Sequence, residues 1–436
     1  MPSRPPRRLL ACGLAAIGAL AQAAPAAASP EDVLGFGPRS IAMGSTGAAG
    51  SEGYESVYGN PALLSTARSR QLTLGFVGAV FDVHANEQKI AAGPLHGSVI
   101  GATLPVPFGG ALKDRVAIGL GFFAPTDLVV RGRILYPEKL QYPLVDRVQS
   151  VAVQAGIGID FGHGIRAGGG FAALAALSGS VLVATDASGR IGTVVEDTLV
   201  ASYGPIVGLS YDIGDAWRVG ATFRGALIGR FNVVITVKDL GDLTVPPLNI
   251  SGVAQYDPWQ IALELARVKA PWRFAVGATF KRWSAYPGLS EATVRCPTLD
   301  PDTGLPAEAC DALVPDKPGY HDTVSAHAGV ERSFLPARGV EMRARAGLFF
   351  EPSPAPSQTK LANVYDNARG ALSAGYGLAL GDPFPPLDFD LFSQLQWLLP
   401  REHVKEASVP ASNPGAPRTS VAGLLASFGM TVGARF

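Results

Sequence analysis

The last ten residues alternate without a break: Phe428, Met430, Val432, Ala434 and Phe436 are interleaved with Ser427, Gly429, Thr431, Gly433 and Arg435. A period of two sends the first set to one face of a strand and the second to the other. An apolar outer face over a small or polar inner face is the pattern of a lipid-facing barrel strand. Any half-buried strand also alternates, so this segment needs a second constraint. That constraint is the lack, after residue 28, of any uninterrupted apolar run of about 18 residues, the length a transmembrane helix requires. A chain that spans lipid without such a helix must satisfy its backbone in a closed barrel.

The other end of the chain points to export. Arg4, Arg7 and Arg8 form a basic region, Leu9 to Leu20 an apolar one, and Ala26 and Ala28 offer a cleavage site before Ser29, with an earlier one at Ala21 and Ala23. Residues 1–28 are therefore expected to be a signal peptide. Cys12 lies at the start of the apolar stretch and not after it, which does not suit a lipidation site. Losing the three arginines leaves 33 basic against 36 acidic residues, a balance that suggests no nucleic-acid partner. Cys296 and Cys310 bracket a segment rich in Pro and Asp. In an oxidising compartment the pair reads as a loop disulfide, with two free thiols as the alternative.

Alternation bounded by turn residues recurs near 70–84, 96–106, 114–124, 146–160, 164–178, 199–213, 216–230, 258–269, 272–283, 321–334, 340–351, 368–381, 386–398 and 421–436. Fourteen strands is an even number, as a bacterial up-and-down barrel requires. Trp217, Trp259, Trp272, Trp283 and Trp397 fall near strand ends, where aromatic girdles sit. Short links at 162–164, 214–215, 269–271 and 335–339 suit the periplasmic side. Long ones at 125–145, 231–256, 284–320, 352–367 and 399–420 suit the outer side. The fold class predicted is all-β, a transmembrane antiparallel barrel over 69–436.

Residues 29–68 do not alternate. Ser29, Pro30, Glu31 and Asp32 resemble a helix start, and small residues dominate from Gly35 to Gly53. A barrel of about fourteen strands is too wide for its own side chains to fill. The segment is therefore expected to fold back into the lumen as a plug.

Met43-Gly44-Ser45-Thr46-Gly47-Ala48-Ala49, then Glu52, then Val57-Tyr58-Gly59-Asn60-Pro61-Ala62-Leu63 resembles the hatch of the FadL/TodX-type transporters of long-chain fatty acids and aromatic hydrocarbons in the outer membrane. Lys281-Arg282-Trp283-Ser284 resembles that family's strand ending in Trp-Ser. Glu351-Pro352-Ser353-Pro354-Ala355-Pro356, followed by Asp366 and Arg369, resembles its acidic-Ser-Pro-x-Pro loop and the Asp-x-Asp-Arg beyond it. The chain departs from the pattern at Ala368, in place of the second Asp, and at Tyr365, in place of a frequent Pro. His321 before Asp322 is the nearest counterpart of a basic residue at the start of the tenth strand.

The resemblance implies a monomeric barrel, resident in the outer membrane and in contact with its lipid. Such a barrel takes up a hydrophobic small molecule such as a fatty acid at its outer loops and releases it sideways near the third strand. Candidate residues follow. Asn60, Pro61 and Ala62 would anchor the hatch, with Gly44 and Gly47 in its glycine run. Gly119 and Gly121 would mark the lateral-opening strand, or else make room for the plug. Proline restrains the preceding residue to an extended conformation, so Asn60-Pro61 also reads as a rigid turn. Arg115, Arg273, Arg343 and Arg345, with Glu264, Glu341, Asp388 and Asp390, are expected to face the lumen. An arginine there could hold a carboxylate headgroup, and a ladder of ion pairs steadying the plug is the alternative.

No Gly-x-Ser-x-Gly elbow and no metal-ligand spacing occurs, so an enzyme is not expected, nor a cofactor or metal. A general diffusion porin and a surface-exposed binding barrel are the competing functions.

Overall fold

The computed structural model describes residues 30–90, 92–126, 139–146, 150–185, 191–238, 248–288, 297–299, 306–309 and 318–436. The signal region and both loop cysteines, Cys296 and Cys310, lie outside these residues. So does the loop stretch 127–138.

Fourteen antiparallel strands form the wall. In chain order they are β1 Gln71–Ala85, β2 Leu95–Pro105, β3 Val116–Pro125, β4 Ala152–Gly162, β5 Ile165–Thr185, β6 Ile191–Ile213, β7 Trp217–Arg224, β8 Gln260–Arg267, β9 Trp272–Lys281, β10 Thr323–Ala337, β11 Val340–Glu351, β12 Arg369–Leu380, β13 Leu387–Val404 and β14 Arg418–Arg435. Each pairs with the next, and β1 pairs back to β14 from Gln71 opposite Arg435 to Ala85 opposite Val421, which closes the barrel. The chain's last residue completes that seam. The Phe436 N–H donates to the Arg70 carbonyl and the Arg70 N–H donates to the Phe436 carbonyl. Closure removes every unpaired strand edge from the hydrocarbon, where each would cost several kcal/mol per orphaned group.

The faces follow the alternation. Phe428, Met430 and Val432 of β14 are exposed on the outside, while Ser427 and Thr431 between them are buried. On β11, Leu348 and Phe350 point outward and Arg345 and Glu351 inward. Trp217 and Trp272 stand exposed at the first positions of β7 and β9, as an interfacial girdle requires. Trp283 does not join them. It is buried in a cluster with Tyr256 and Tyr286 on the long-loop side.

Two expectations about strand extent are corrected. The seventh strand, expected to reach residue 230, ends at Arg224, because the next position lies opposite Pro205. Gly225 donates to the Pro205 carbonyl, and Pro205 has no N–H with which to continue the ladder. The following stretch, expected to be loop, holds an outer hairpin of Leu227–Lys238 and Leu248–Asp257 whose first strand runs parallel to the outer half of β5. Below it β7 and β8 meet directly, Arg224 opposite Gln260.

Residues 30–66 carry short helices, α1 Pro30–Leu34, α2 Pro38–Ala42 and α3 Ser56–Gly59, and a 3₁₀ turn Pro61–Thr66. Their neighbours lie all around the wall. Phe36 covers Gly121 of β3, Pro61 covers Gly168 of β5, Asn60 covers Gly208 of β6, and Gly44 covers Gly347 of β11. A segment that touches opposite sides of a closed wall runs through the space the wall encloses. The fit depends on missing side chains. A Cβ on Gly347 would stand 2.0 Å from the Gly44 nitrogen, and one on Gly208 would stand 2.0 Å from the Asn60 Oδ1.

Gly347→Val is expected to push the segment off β11. Single-channel conductance in a planar bilayer should rise toward that of a barrel lacking 29–68. The outward-facing neighbour Leu348→Val should conduct like the native protein.

Candidate functional site

The segment is locked to the wall by three arrangements. At Asn60 the backbone is extended, φ −164°, as its proline neighbour demands. The side chain Oδ1 accepts from the Ala62 N–H at 3.0 Å, while Nδ2 donates to the carbonyls of Ala48 at 2.6 Å and Leu209 of β6 at 2.9 Å. One fully buried amide thus joins two parts of the segment to the wall. Pro61 supplies the close face laid on Gly158 and Gly168.

The second arrangement centres on Glu264 of β8. It accepts from three successive backbone N–H groups, those of Gly47, Ala48 and Ala49, at 2.7, 3.1 and 3.0 Å. Three convergent N–H dipoles are a suitable setting for a buried carboxylate. Of the hatch glycines, Gly47 enters through this contact. Gly44, with φ +71°, enters through its N–H to Ser373 and its carbonyl beside the His327 ring.

The third is an ion-pair lattice toward the short-turn end. Glu331 of β10, with no exposed side-chain surface, sits between Arg39 of the segment at 3.0 Å and Arg345 of β11 at 2.7 Å. Arg345 also reaches Asp390. Arg273 pairs with Glu52, and Arg343 with Glu341 at 2.9 Å. Arg273, Arg343 and Arg345 therefore hold acidic neighbours here. Arg115, expected in the lumen, lies one residue before β3 on an exposed turn. Glu55 takes the place of a cap that Gly37 cannot provide, accepting from the Arg39 and Ser40 N–H groups at the start of α2 at 3.0 and 2.9 Å. Burial pushes its carboxyl up to about 7, against those two bonds.

At the long-loop end the motif residues line a small pocket. Its apolar side is a set of packed rings. Tyr286 lies 4.7 Å from Tyr320 and 5.1 Å from Tyr256, with Trp283 5.6 Å from Tyr256. Pro352 and Pro354 also line it, and Glu351, Asp366 and Arg369 supply polar groups. Side-chain and backbone bonds hold the parts together. The Ser284 N–H donates to Asp322 at 2.9 Å, the His321 N–H to the Pro354 carbonyl at 3.0 Å, and the Ser353 hydroxyl to Asp366 at 2.8 Å. His321 acts here through its backbone, and its side chain is exposed. Tyr365, one of the departures from the family pattern, is fully buried. Its hydroxyl donates to Asn363 at 2.8 Å and its ring packs 4.9 Å from that of His403, tying its loop to the outer end of β13.

Beneath the pocket lies a second charged cluster. Lys281 of β9 bridges Asp32 of α1 at 2.8 Å and Glu351 at 2.7 Å, and Arg369 holds Glu351 at 2.6 Å. Gln396 and Arg369 both reach the Val33 carbonyl, at 3.0 and 3.4 Å. Sequence reasoning placed Asp32 at a helix start and Lys281 in a motif without giving either a site role, and did not name Glu331 or Arg39. For Lys281 the signal was present, since the alternation of β9 places it inward and it opens the Lys281-Arg282-Trp283-Ser284 motif. Against β3 lies a further, small apolar space lined by Phe36, Val77, Val99, Phe123 and Phe392. Gly119 and Gly121 face Leu64, Val57 and Phe36, and β3 keeps unbroken register with β2 and β4.

Two expected outcomes test the locks. Asn60→Ala strands two buried carbonyls and an N–H, and should lower unfolding stability in denaturant titration by about 2–4 kcal/mol. A carboxyl whose folded value is raised stabilises the fold fully below its ordinary value of 4.5, and that contribution is lost as pH rises to about 7. The native Tm should therefore fall between pH 5 and pH 8 relative to Glu55→Gln, which lacks the titrating group.

Comparison with known proteins agrees with this geometry. No curated protein matches the chain in sequence. Among solved structures, a Pseudomonas aeruginosa FadL homologue superposes with a TM-score of 0.60 at 13% identity, covering 93% of this chain and 98% of the other. The P. putida toluene transporter TodX does so at 0.57 and 16%, covering 93% and 99%. The Ralstonia pickettii toluene transporter TbuX does so at 0.55 and 16%, again covering 93% and 99%. At such identities the likeness establishes a common fold. The family model described as outer membrane protein transport protein (OMPP1/FadL/TodX) matches residues 15–391, and the chain accordingly belongs to that family of outer-membrane transport barrels.

Proposed function

We propose that this barrel carries hydrophobic compounds, long-chain fatty acids or aromatic hydrocarbons, passively from the outer surface into the membrane. The aromatic pocket at the loop end carries this reading. It offers rings and prolines to an apolar ligand at the position an outside molecule meets first. The ligand gains about 0.8 kcal/mol for each CH₂ removed from water, and the surrounding chain needs no energy source to bind it.

Residues 29–68 act in this reading as a plug, held by Asn60, Pro61 and Ala62 and by the glycine run at Gly44 and Gly47. The plug excludes small hydrophilic solutes, which separates the protein from a general diffusion porin. Release is lateral, past the inner face of β3. The apolar space against Phe36 and Phe123 leads there, and Gly119 and Gly121 leave that face bare once the segment's side chains withdraw. The wall closes within a single chain, so a monomer suffices, with membrane lipid around it.

Uptake of a labelled long-chain fatty acid and of a small sugar by cells carrying the barrel tests this function. Fatty-acid uptake without sugar leakage is expected, with leakage appearing when 29–68 are deleted. Replacing Trp283 and Tyr286 by Ala together should weaken uptake at low ligand concentration by roughly tenfold, the loss of two ring contacts and their buried area. Free passage of sugar through the intact barrel with no fatty-acid uptake would leave the porin as the better account.

A further inference from the structure

Toward the short turns the outward face of the wall presents hydrocarbon, with Val219 of β7, Leu265 of β8 and Phe274 of β9 among its exposed side chains. Two arginines interrupt it on either side of β9. The alternation puts Arg267, the last residue of β8, on the face of Leu265, and Arg332 of β10 on the face of Phe334. Both therefore stand on the lipid side of the wall.

Neither arginine meets a carboxylate among the described residues. Arg267 donates through Nη1 to the carbonyls of Lys269, at 2.6 Å, and Trp272. Arg332 is exposed, and its guanidinium carbon lies 4.9 Å from the centre of the Trp272 ring and 4.7 Å from that of Phe334. Two cationic heads thus converge on Trp272, one through its backbone and one over its ring. Register brings them there, since Trp272 lies opposite Arg332 and Arg267 opposite Phe274. Lys269, exposed in the turn between β8 and β9, adds a third positive charge. Acids around the patch are turned away or engaged. Glu331, beside Arg332 in the chain, points inward to Arg39 and Arg345, and Asp382 pairs with Arg338 at 2.7 Å. Asp215, on the turn that joins Val268 through the Ala216 carbonyl, forms no ion pair among the described residues.

A charge on a lipid-facing surface is costly unless it reaches the headgroups or an opposite charge. Aromatic rings sit at headgroup depth, and Trp217, Trp272 and Phe334 put this patch there. Rings take the flat of a guanidinium and leave its N–H edge for an acceptor. Among the described residues no protein acceptor meets that edge of Arg332. What a bilayer supplies at this depth is phosphate, which fits the guanidinium fork two oxygens to two N–H groups. Short barrel turns face the periplasm, where the leaflet is built of glycerophospholipids. Farther from the turns, Phe274, Val276, Leu263 and Leu265 form an exposed apolar strip on which acyl chains can lie.

We propose that Arg332, with Arg267 and Lys269 beside it, binds the phosphate of an anionic glycerophospholipid in the periplasmic leaflet. Arg332 makes the direct contact. The other two charges favour a headgroup of net negative charge over one whose phosphate is balanced by its own choline or ammonium. The site lies outside the lumen and does not depend on what the barrel carries. It holds the wall from outside where the segment is bolted from inside, since Glu331 and Arg273, the chain neighbours of Arg332 and Trp272, pair with Arg39 and Glu52. Lipid bound there raises the thermal stability of the barrel.

The test uses the purified full-length protein in dodecyl maltoside. Native mass spectrometry counts bound lipid during titration with dioleoyl phosphatidylglycerol or dioleoyl phosphatidylcholine, and melting curves are recorded in parallel. Phosphatidylglycerol should bind about tenfold more tightly than phosphatidylcholine and raise the Tm. Arg332→Gln should weaken phosphatidylglycerol binding by about tenfold, the loss of one charge-assisted contact, and remove the rise in Tm. Arg338→Gln, at the same rim but already paired with Asp382, should bind like the native protein. Equal binding of the two lipids would overturn the proposal, as would equal losses in Arg332→Gln and Arg338→Gln. Inorganic phosphate at millimolar concentration should leave the Tm unchanged. A rise matching that of the lipid would make this a site for free phosphate and overturn the lipid assignment. The comparison of the two lipids on the native protein decides the matter even if Arg332→Gln does not fold.

Discussion

Closure of the wall is the constraint from which the rest of the structure follows. Lipid cannot satisfy a strand edge, so the seam between β1 and β14 has to be complete to the final residue, and Phe436 pairs with Arg70 to make it so. Fourteen strands close this wall, and they leave a lumen wider than inward side chains can fill. The chain fills it with residues 30–66. Inward positions on strand after strand are then glycine, because the filler's backbone comes where side chains would be. The outer face is set by lipid and the inner face by the segment, so each strand answers to two different solvents.

The same division explains what could be read from the sequence. Wall strands were legible because lipid imposes period two on every one of them, and all fourteen have a counterpart at the expected place. Pro205 shows the limit of that reading. Alternation continues through 216–230, yet the ladder ends at Arg224, because a missing N–H on the neighbouring strand stops it and that neighbour is not adjacent in sequence. The outer hairpin was hidden for a related reason. It lies beyond the membrane, where no lipid face enforces alternation. Trp283 looked like a girdle residue from its place at a strand end, and only the fold reveals that Tyr256, Tyr286 and Tyr320 gather around it.

Charged residues were legible in phase but not in partner. The strand pattern turns Arg273, Arg343 and Arg345 inward. Whether an inward arginine meets a ligand or a carboxylate depends on Glu331, Glu52 and Asp390, which come from other strands and from the segment. Ion pairs buried in a lumen hold strongly only when each member is matched, since removing one partner leaves a desolvated charge. The lattice at the short-turn end is of this matched kind and joins segment to wall through Arg39 and Glu331. The Asn60 and Glu264 contacts work alongside it through neutral or backbone donors. All three hold the later part of the segment.

The cluster at Lys281 is built from the same residue types yet differs in where its members are anchored. Asp32 stands on a five-residue helix that precedes two left-handed glycines and pairs with Lys281 of the wall, while Arg39 stands on the five-residue helix that follows them and pairs with Glu331, on a wall strand paired on both sides. An ion pair is as durable as the less rigid of its supports, because the entropy recovered by the mobile partner offsets part of the electrostatic loss when it leaves. Chemically similar pairs at the two ends of one lumen thus flank the same two glycines, and each is as firm as the short helix on its segment side.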